Sequence, residues 1–218
     1  KQGHYVTVVT NGTVAKRFDE LAALPADDLD RLFIKFSFHY LELKKRGWLD
    51  LFFGNVQKIR KAGGSFSVEL TPSDEMIPHI DDAMALCRAR VGAPCHVTVA
   101  RDETSPALTL LTRHSPAEYR EIWGRFDSDL FRFKMSVFGE KRREFCYAGL
   151  WSGFLNLVTG DLRQCYCEKP IQNIYADLER PIRFFPVGPQ CALPHCYNAH
   201  GVMTLGPVAP LPTAPRGG

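Results

Sequence analysis

No apolar run in this chain is long enough to cross a bilayer as a helix. The opening residues, Lys1-Gln2-Gly3-His4, lack the pattern of a secretory signal peptide. Neither sign of charge prevails, because 27 Lys and Arg stand against 24 Asp and Glu, for a formal charge of +3. That surplus is too small to argue for nucleic acid or a membrane surface as a partner. The cytoplasm is therefore the expected compartment. An initiating methionine is also lacking, and a strand-like run starts almost at once at Tyr5. This leads to the expectation of a piece of a longer protein.

What is present is ordinary globular material. The 218 residues are 45% hydrophobic and 23% charged, enough for one large domain, or for a domain with a small appendage, built on a real core.

Cysteine use is the distinctive feature. Five of the seven cysteines, Cys146, Cys165, Cys167, Cys191 and Cys196, fall in the last third of the chain. Without a secretion signal, such clustering points to a metal or iron–sulfur site rather than to disulfides. Cys146 and Cys165 flank an expected hairpin in the spacing C-x13-G-x4-C, with Gly160 free to take the positive φ of a tight turn. Cys191-Ala-Leu-Pro-His-Cys196 forms a second loop able to bear ligands, shaped by Pro194. Thiolates from two such loops can enclose a metal that supplies much of the folding energy. Cys167 shares a strand face with Cys165 and reads as a ligand, a spare or a packing thiol. His195 and His200 are possible substitute ligands, although surface positions, or places behind the ligands, suit histidines better. Cys87, on an apolar helical stripe, and Cys95, at a strand entrance, read as buried packing residues. Spacing alone separates zinc from iron–sulfur poorly; the scarcity of tight C-x2-4-C pairs favours iron–sulfur.

Upstream, strand-like and helix-like periodicities alternate. Strands are expected at 5–10, 33–41, 65–70 and 96–100, and helices at 14–24 and 26–32. A further helix follows from the stripe Leu49, Phe52, Phe53, Val56 and Ile59, ending at Gly63-Gly64. Another runs through Ile80, Met84 and Cys87, with Pro78 in its first turn. Ser115-Pro116-Ala117-Glu118 is a capping box that opens a helix carrying Tyr119, Ile122, Trp123 and Phe126. Strand–helix alternation predicts a parallel sheet with right-handed crossovers.

Parallel strands covered on both faces are usually apolar throughout. Here Lys35, Ser37 and His39 alternate with Ile34, Phe36, Phe38 and Tyr40, while Ser65, Ser67 and Glu69 alternate with Phe66, Val68 and Leu70. His96 and Thr98 alternate with Val97 and Val99. One polar face per strand suits a barrel or half-barrel with a polar lumen, or else a sheet with one partly solvated face. The ligand side is expected at the carboxyl ends of the strands.

After Gly139 the basic run Lys141-Arg142-Arg143 reads as a solvated connector. Strands are expected at 149–157 and 162–167, then a loop-rich remainder. A Pro- and Gly-rich tail, expected to be disordered, occupies 205–218.

The C-x13-G-x4-C hairpin resembles the opening of the SPASM and twitch auxiliary-cluster domains of radical SAM enzymes. Val8-Val9-Thr10-Asn11-Gly12-Thr13 is similar to the T-N-G strand of radical SAM barrels, and Phe36-Ser37-Phe38-His39 and Ser67-Val68-Glu69-Leu70 look like the strands after it. The resemblance implies an α/β chain. Residues 1–139 would supply the later strands of a partial (β/α) barrel, and 140–204 a small cysteine-rich β-hairpin and loop auxiliary domain. It further implies a 4Fe–4S auxiliary cluster held by four of Cys146, Cys165, Cys167, Cys191 and Cys196. S-adenosylmethionine is the implied co-substrate, with Ser37, His39 and Glu69 reaching it or the substrate. The radical made from it would abstract hydrogen from a small-molecule, sugar or peptide substrate, with flavodoxin or ferredoxin as electron donor.

Two departures stand out. The C-x3-C-x2-C loop and the G-G-E-type strand end of the family are missing, and both normally precede the T-N-G strand. The downstream cysteines also lack the full C-x2-C-x5-C-x3-C set, which favours one auxiliary cluster over two. Zinc-stabilised binding modules and non-catalytic iron–sulfur electron-transfer or scaffold proteins would use similar cysteines.

Overall fold

A computed structural model describes residues 4–165, 169–189 and 191–196. Cys167, His200 and the Pro- and Gly-rich 205–218 segment lie outside these residues. Among the described residues the chain divides after Met135 into two compact units.

The first unit is built on a four-stranded parallel sheet in the order β1-β2-β3-β4, from Val6–Thr10, Leu32–Ser37, Ser65–Leu70 and His96–Val97. Helices α1 (Ala15–Ala22) and α2 (Ala26–Leu29) connect the first pair of strands, and α3 (Tyr40–Arg46) and α4 (Leu49–Lys61) the second. A 3-10 turn at Asp74–His79 and α5 (Ile80–Val91) connect the third pair, and α6 (Pro116–Gly124) and α7 (Asp129–Val137) follow.

Alternation decides which side of the sheet is packed. Ile34, Phe36, Phe66, Val68, Leu70 and Val97 are buried on one face. Phe36 stacks on Phe18 of α1 at 5.2 Å and meets Phe52 of α4 edge-on at 5.7 Å. Such aromatic pairs add a fraction of a kcal/mol to about 1.5 kcal/mol beyond the area they bury. Gly12 holds the β1–α1 turn at φ +72° against Phe52 and Phe36, and its carbonyl accepts from the buried Asn55 amide at 2.9 Å. The capping box of α6 forms as its sequence dictates: Ser115 Oγ accepts from Glu118 N–H, and Glu118 accepts from Ser115 N–H at 2.8 Å.

Several elements differ from the sequence expectation. β2 ends at Ser37, whereas the alternation runs on to residue 41. Phe38 N–H makes the last ladder bond, to Glu69 O at 2.7 Å. The His39 carbonyl already accepts from Leu43 N–H at 2.9 Å, so 40–46 is helix, stopped by Gly47 at φ 69°. Pro78 lies in the 3-10 turn that precedes α5.

β4 has two residues where 96–100 was expected, because side chains replace a strand partner. Ser128 Oγ accepts from Val97 N–H and the Tyr119 hydroxyl accepts from Ala100 N–H, each at 3.0 Å. Burial is the main cause that holds the Tyr119 phenol neutral, well above the ordinary tyrosine range.

The second unit carries an antiparallel sheet in the order β5-β6-β7, from Phe154–Leu155, Asp161–Arg163 and Pro170–Asn173. The expected hairpin is there but shorter than expected. Residues before β5 form a turn in which Leu150 and Trp151 N–H both bond to Tyr147 O. Gly160 closes the β5–β6 turn at φ 78°, in van der Waals conflict with any Cβ because the Tyr175 ring lies against it. β7, in the stretch expected to be loop, pairs with β6 across a bulge at Leu162/Arg163.

Candidate functional site

The polar face of the parallel sheet concentrates chemistry-bearing groups near the strand ends. Across β2, β3 and β4, Ser37, Glu69 and His96 are register partners, and one pleat below them Lys35 partners Ser67. Period-two geometry places all five on one face. Lys35 Nζ pairs with Glu69 Oε2 at 2.6 Å, with the two side chains only 17% and 11% exposed. Ser67, itself buried, donates its hydroxyl to Glu69 Oε1 at 3.0 Å. Both oxygens of Glu69 are thus engaged inside the protein, and the carboxylate orients its neighbours.

Lys134 of α7 enters the same strand-end region and is buried, its ammonium donating to Thr98 Oγ1 at 2.6 Å. The sequence reading passed over Lys134. Its position among Phe131 and Met135, at i, i+3 and i+4 spacing on the buried stripe, was the available signal.

The three residues expected to reach a cofactor divide differently. Ser37 and Glu69 share one row of the polar face. His39 does not join them. It is exposed, lies past the end of β2 and occupies the N-cap position of α3, so the assignment of His39 to a strand's lumen face is corrected.

In the second unit, hydrogen bonds draw the cysteine-bearing segments side by side. Cys146, buried, pairs its backbone with Gly188 through bonds of 2.9 and 3.0 Å, and Val187 N–H bonds to Ala148 O at 2.9 Å. Gln164, next to Cys165, donates its amide to Phe185 O at 2.8 Å and packs against Gly149. The strand end at Cys165, the 146–149 segment and the 185–188 segment that leads to Cys191 are therefore neighbours. Cys165 lies just past the end of β6, where it was expected within a strand.

The loop bearing Cys191 and Cys196 is held by residues from the start of this unit. Lys141 Nζ donates to Cys191 O and to Leu193 O, at 2.5 and 2.7 Å. Lys141 is exposed, as a solvated basic connector is expected to be, and its side chain also ties down this loop. The His195 ring is fully buried and packs on Phe138 with centroids 4.3 Å apart, which corrects a surface position and leaves one behind the ligands open.

Cys146 is buried, and Cys165, Cys191 and Cys196 are half-buried. Their chemistry fits a thiolate-bound metal or cluster. Among the described residues, no group of three or more His, Cys, Asp and Glu side chains is arranged to hold a metal ion. The neighbouring Cys167 lies outside those residues.

Cys87 and Cys95 are fully buried, in the first unit. The hydrogen bond with the Cys87 thiol, followed by burial, pushes the Cys95 thiol far up, so Cys95 is chemically quiet. Among the described residues no helix is long and apolar enough to cross a membrane. No protein-family model, curated protein or solved structure matches the chain.

Proposed function

We propose that this chain is the later part of a radical SAM-type enzyme: strands of a partial (β/α) barrel followed by an auxiliary iron–sulfur module of the SPASM or twitch kind. The observation that carries the reading is the division of the parallel sheet. Its strands run in chain order with one face packed under helices, and the other bears Lys35, Ser37, Ser67, Glu69 and His96. An ion pair on a parallel-sheet face is costly as pure architecture, because two charges leave water. Its place at the carboxyl ends of strands suits ligand binding.

In this reading the Lys35–Glu69 pair fixes the polar floor, with Ser67 holding the carboxylate in its orientation. Ser37 and His96, in the row of Glu69, offer a hydroxyl and an imidazole to S-adenosylmethionine or to a substrate. When bound, S-adenosylmethionine and a reduced 4Fe–4S cluster supply a hydrogen-abstracting radical. In the second unit, Cys146, Cys165, Cys191 and Cys196, with Cys167 as the further candidate, provide the thiolates for one auxiliary cluster. A small-molecule, sugar or peptide substrate, a flavodoxin- or ferredoxin-like electron donor and a cytoplasmic location belong to the same proposal.

Anaerobic reconstitution of the chain with ferrous iron and sulfide tests it. The expected result is bound iron with equimolar acid-labile sulfide and broad visible absorbance, lost when Cys146, Cys191 or Cys196 is replaced by alanine. Stoichiometric zinc, with no iron or sulfide retained, would replace this reading with a zinc-stabilised module.

A further inference from the structure

We infer that Phe138 and Lys141 are positioning residues that preform the Cys191–Cys196 loop before any metal arrives. Such small thiolate modules are commonly ordered by the metal itself, since the ligands have no preformed site in the unfolded chain. Here the loop has anchors of its own at both ends. At its start, one ammonium bridges the carbonyls of Cys191 and Leu193, two residues apart, which fixes the direction of the turn between them. Near its end, the buried His195 ring rests on Phe138 at 4.3 Å. Both anchors issue from a single short segment, 138–141, so two points of a six-residue loop are referred to one support.

Pro194 lies between the anchored Leu193 and His195 and removes one backbone freedom where neither anchor acts. Both cysteines of the loop, Cys191 and Cys196, are half-buried. Among the described residues Lys141 donates to main-chain oxygen. It sets where the thiols stand and does not itself touch what they bind. An outer-shell group of this kind characteristically changes metal affinity by about 10- to 100-fold.

The inference deepens the proposed reading, and only its metal-binding arm rests on that reading. The first arm uses reduced, metal-free protein and the ring protons of His195 in NMR, assigned by their loss in His195→Gln. The preformed loop places them upfield of unfolded-chain positions, shifted by the Phe138 ring. That displacement disappears in Phe138→Leu and collapses in Lys141→Met, while Lys141→Arg, which keeps the donors, retains it. Unshifted His195 signals in the metal-free wild type, or a Lys141→Met spectrum identical to wild type, overturn the inference.

The second arm titrates Co2+ into the same proteins and follows thiolate-to-metal absorption. Lys141→Met weakens binding about tenfold or more, and Lys141→Arg restores it. Equal affinity of Lys141→Met and wild type overturns the positioning role. A wild type that binds no Co2+ while keeping the shifted His195 signals counts against the proposed function and leaves the loop's preformation standing.

Discussion

The Lys35–Glu69 pair gives the sharpest test of why the sheet keeps a charged face. At 2.6 Å and an effective dielectric constant of about 20, its gross attraction is about 6 kcal/mol. Desolvation of two side chains that are 17% and 11% exposed consumes most of that gain, at several kcal/mol per ion. The net worth of the pair is therefore small, whereas the cost of breaking it is large. Glu69→Gln leaves the Lys35 ammonium in place with a neutral neighbour and takes the anionic acceptor from Ser67. A broken buried pair costs 3–5 kcal/mol, and the residual exposure puts this one at the lower end, about 3 kcal/mol. The double replacement Lys35→Met with Glu69→Leu removes both charges at similar volume and is expected within about 1 kcal/mol of wild type.

Urea unfolding measures both, provided that the two units are followed separately. A Trp151→Phe background serves, because it leaves Trp48 and the buried Trp123 as reporters of the first unit. The reasoning fails if Glu69→Gln costs under about 1 kcal/mol, or if the apolar double variant is as unstable as the single one. A double variant as stable as wild type would mean that folding does not require the charges, which is the expectation for groups kept to meet a ligand.

Other outcomes follow from local geometry. Gly12→Ala combines a left-handed φ of +72° with a Cβ 2.7 Å from Phe52 Cδ2, a ring locked among Phe36, Phe38 and Phe53. It is expected to destabilise the first unit by about 3 kcal/mol in the same urea assay. Gly149→Ala drives a Cβ to 2.3 Å from Phe185 O and into Gln164, so it separates the cysteine-bearing segments. Faster alkylation of the buried Cys146, read by peptide mass, is the expected result. Ser115→Ala removes the α6 cap at a cost of about 1 kcal/mol in thermal or urea unfolding. Asp74 is held below the usual carboxylate range by the Thr112 hydroxyl, then by the Arg113 backbone N–H and guanidinium. Its contribution is thus present above the unfolded-state pKa of about 3.9 and lost as pH falls through the lower folded value. Stability curves of wild type and Asp74→Asn should be parallel near neutrality and converge below about pH 4.

What could be read from the sequence was whatever a short window encodes. β3 at Ser65–Leu70 follows its alternation, α4 stops before Gly63-Gly64, and the α6 cap forms from four consecutive residues. The failures have distant causes. Phe36 to Leu41 alternates like a strand, yet β2 stops where β3 stops offering partners, at the Glu69 carbonyl. β4 is cut short by hydroxyls of Tyr119 and Ser128, which come from α6 and the start of α7. Lys141 is the exposed basic residue that its run suggests, but its acceptors lie 50 and 52 positions away and no local pattern marks them. The cysteines stood out in the sequence by type and clustering. Their arrangement depends on the pairing of 146–148 with 187–188, which carries no mark in composition.

The polar face of the sheet has a topological cause as well as a chemical one. Strands paired in the order β1-β2-β3-β4, joined by right-handed crossovers, bring every connecting helix to the same side. Phe18 of α1 stacked on Phe36, and Phe52 of α4 meeting it edge-on, show which side that is. No crossover covers the other face, so its residues are released from the apolar requirement that doubly covered parallel strands obey. Release alone would permit scattered, solvated polar groups. The residues found there are more constrained: a lysine and a glutamate paired at 2.6 Å, a buried serine bonded to that glutamate, and the buried Lys134 on Thr98. Side chains fixed this closely have already given up their conformational freedom, as groups that must meet a ligand without reorganising are required to do.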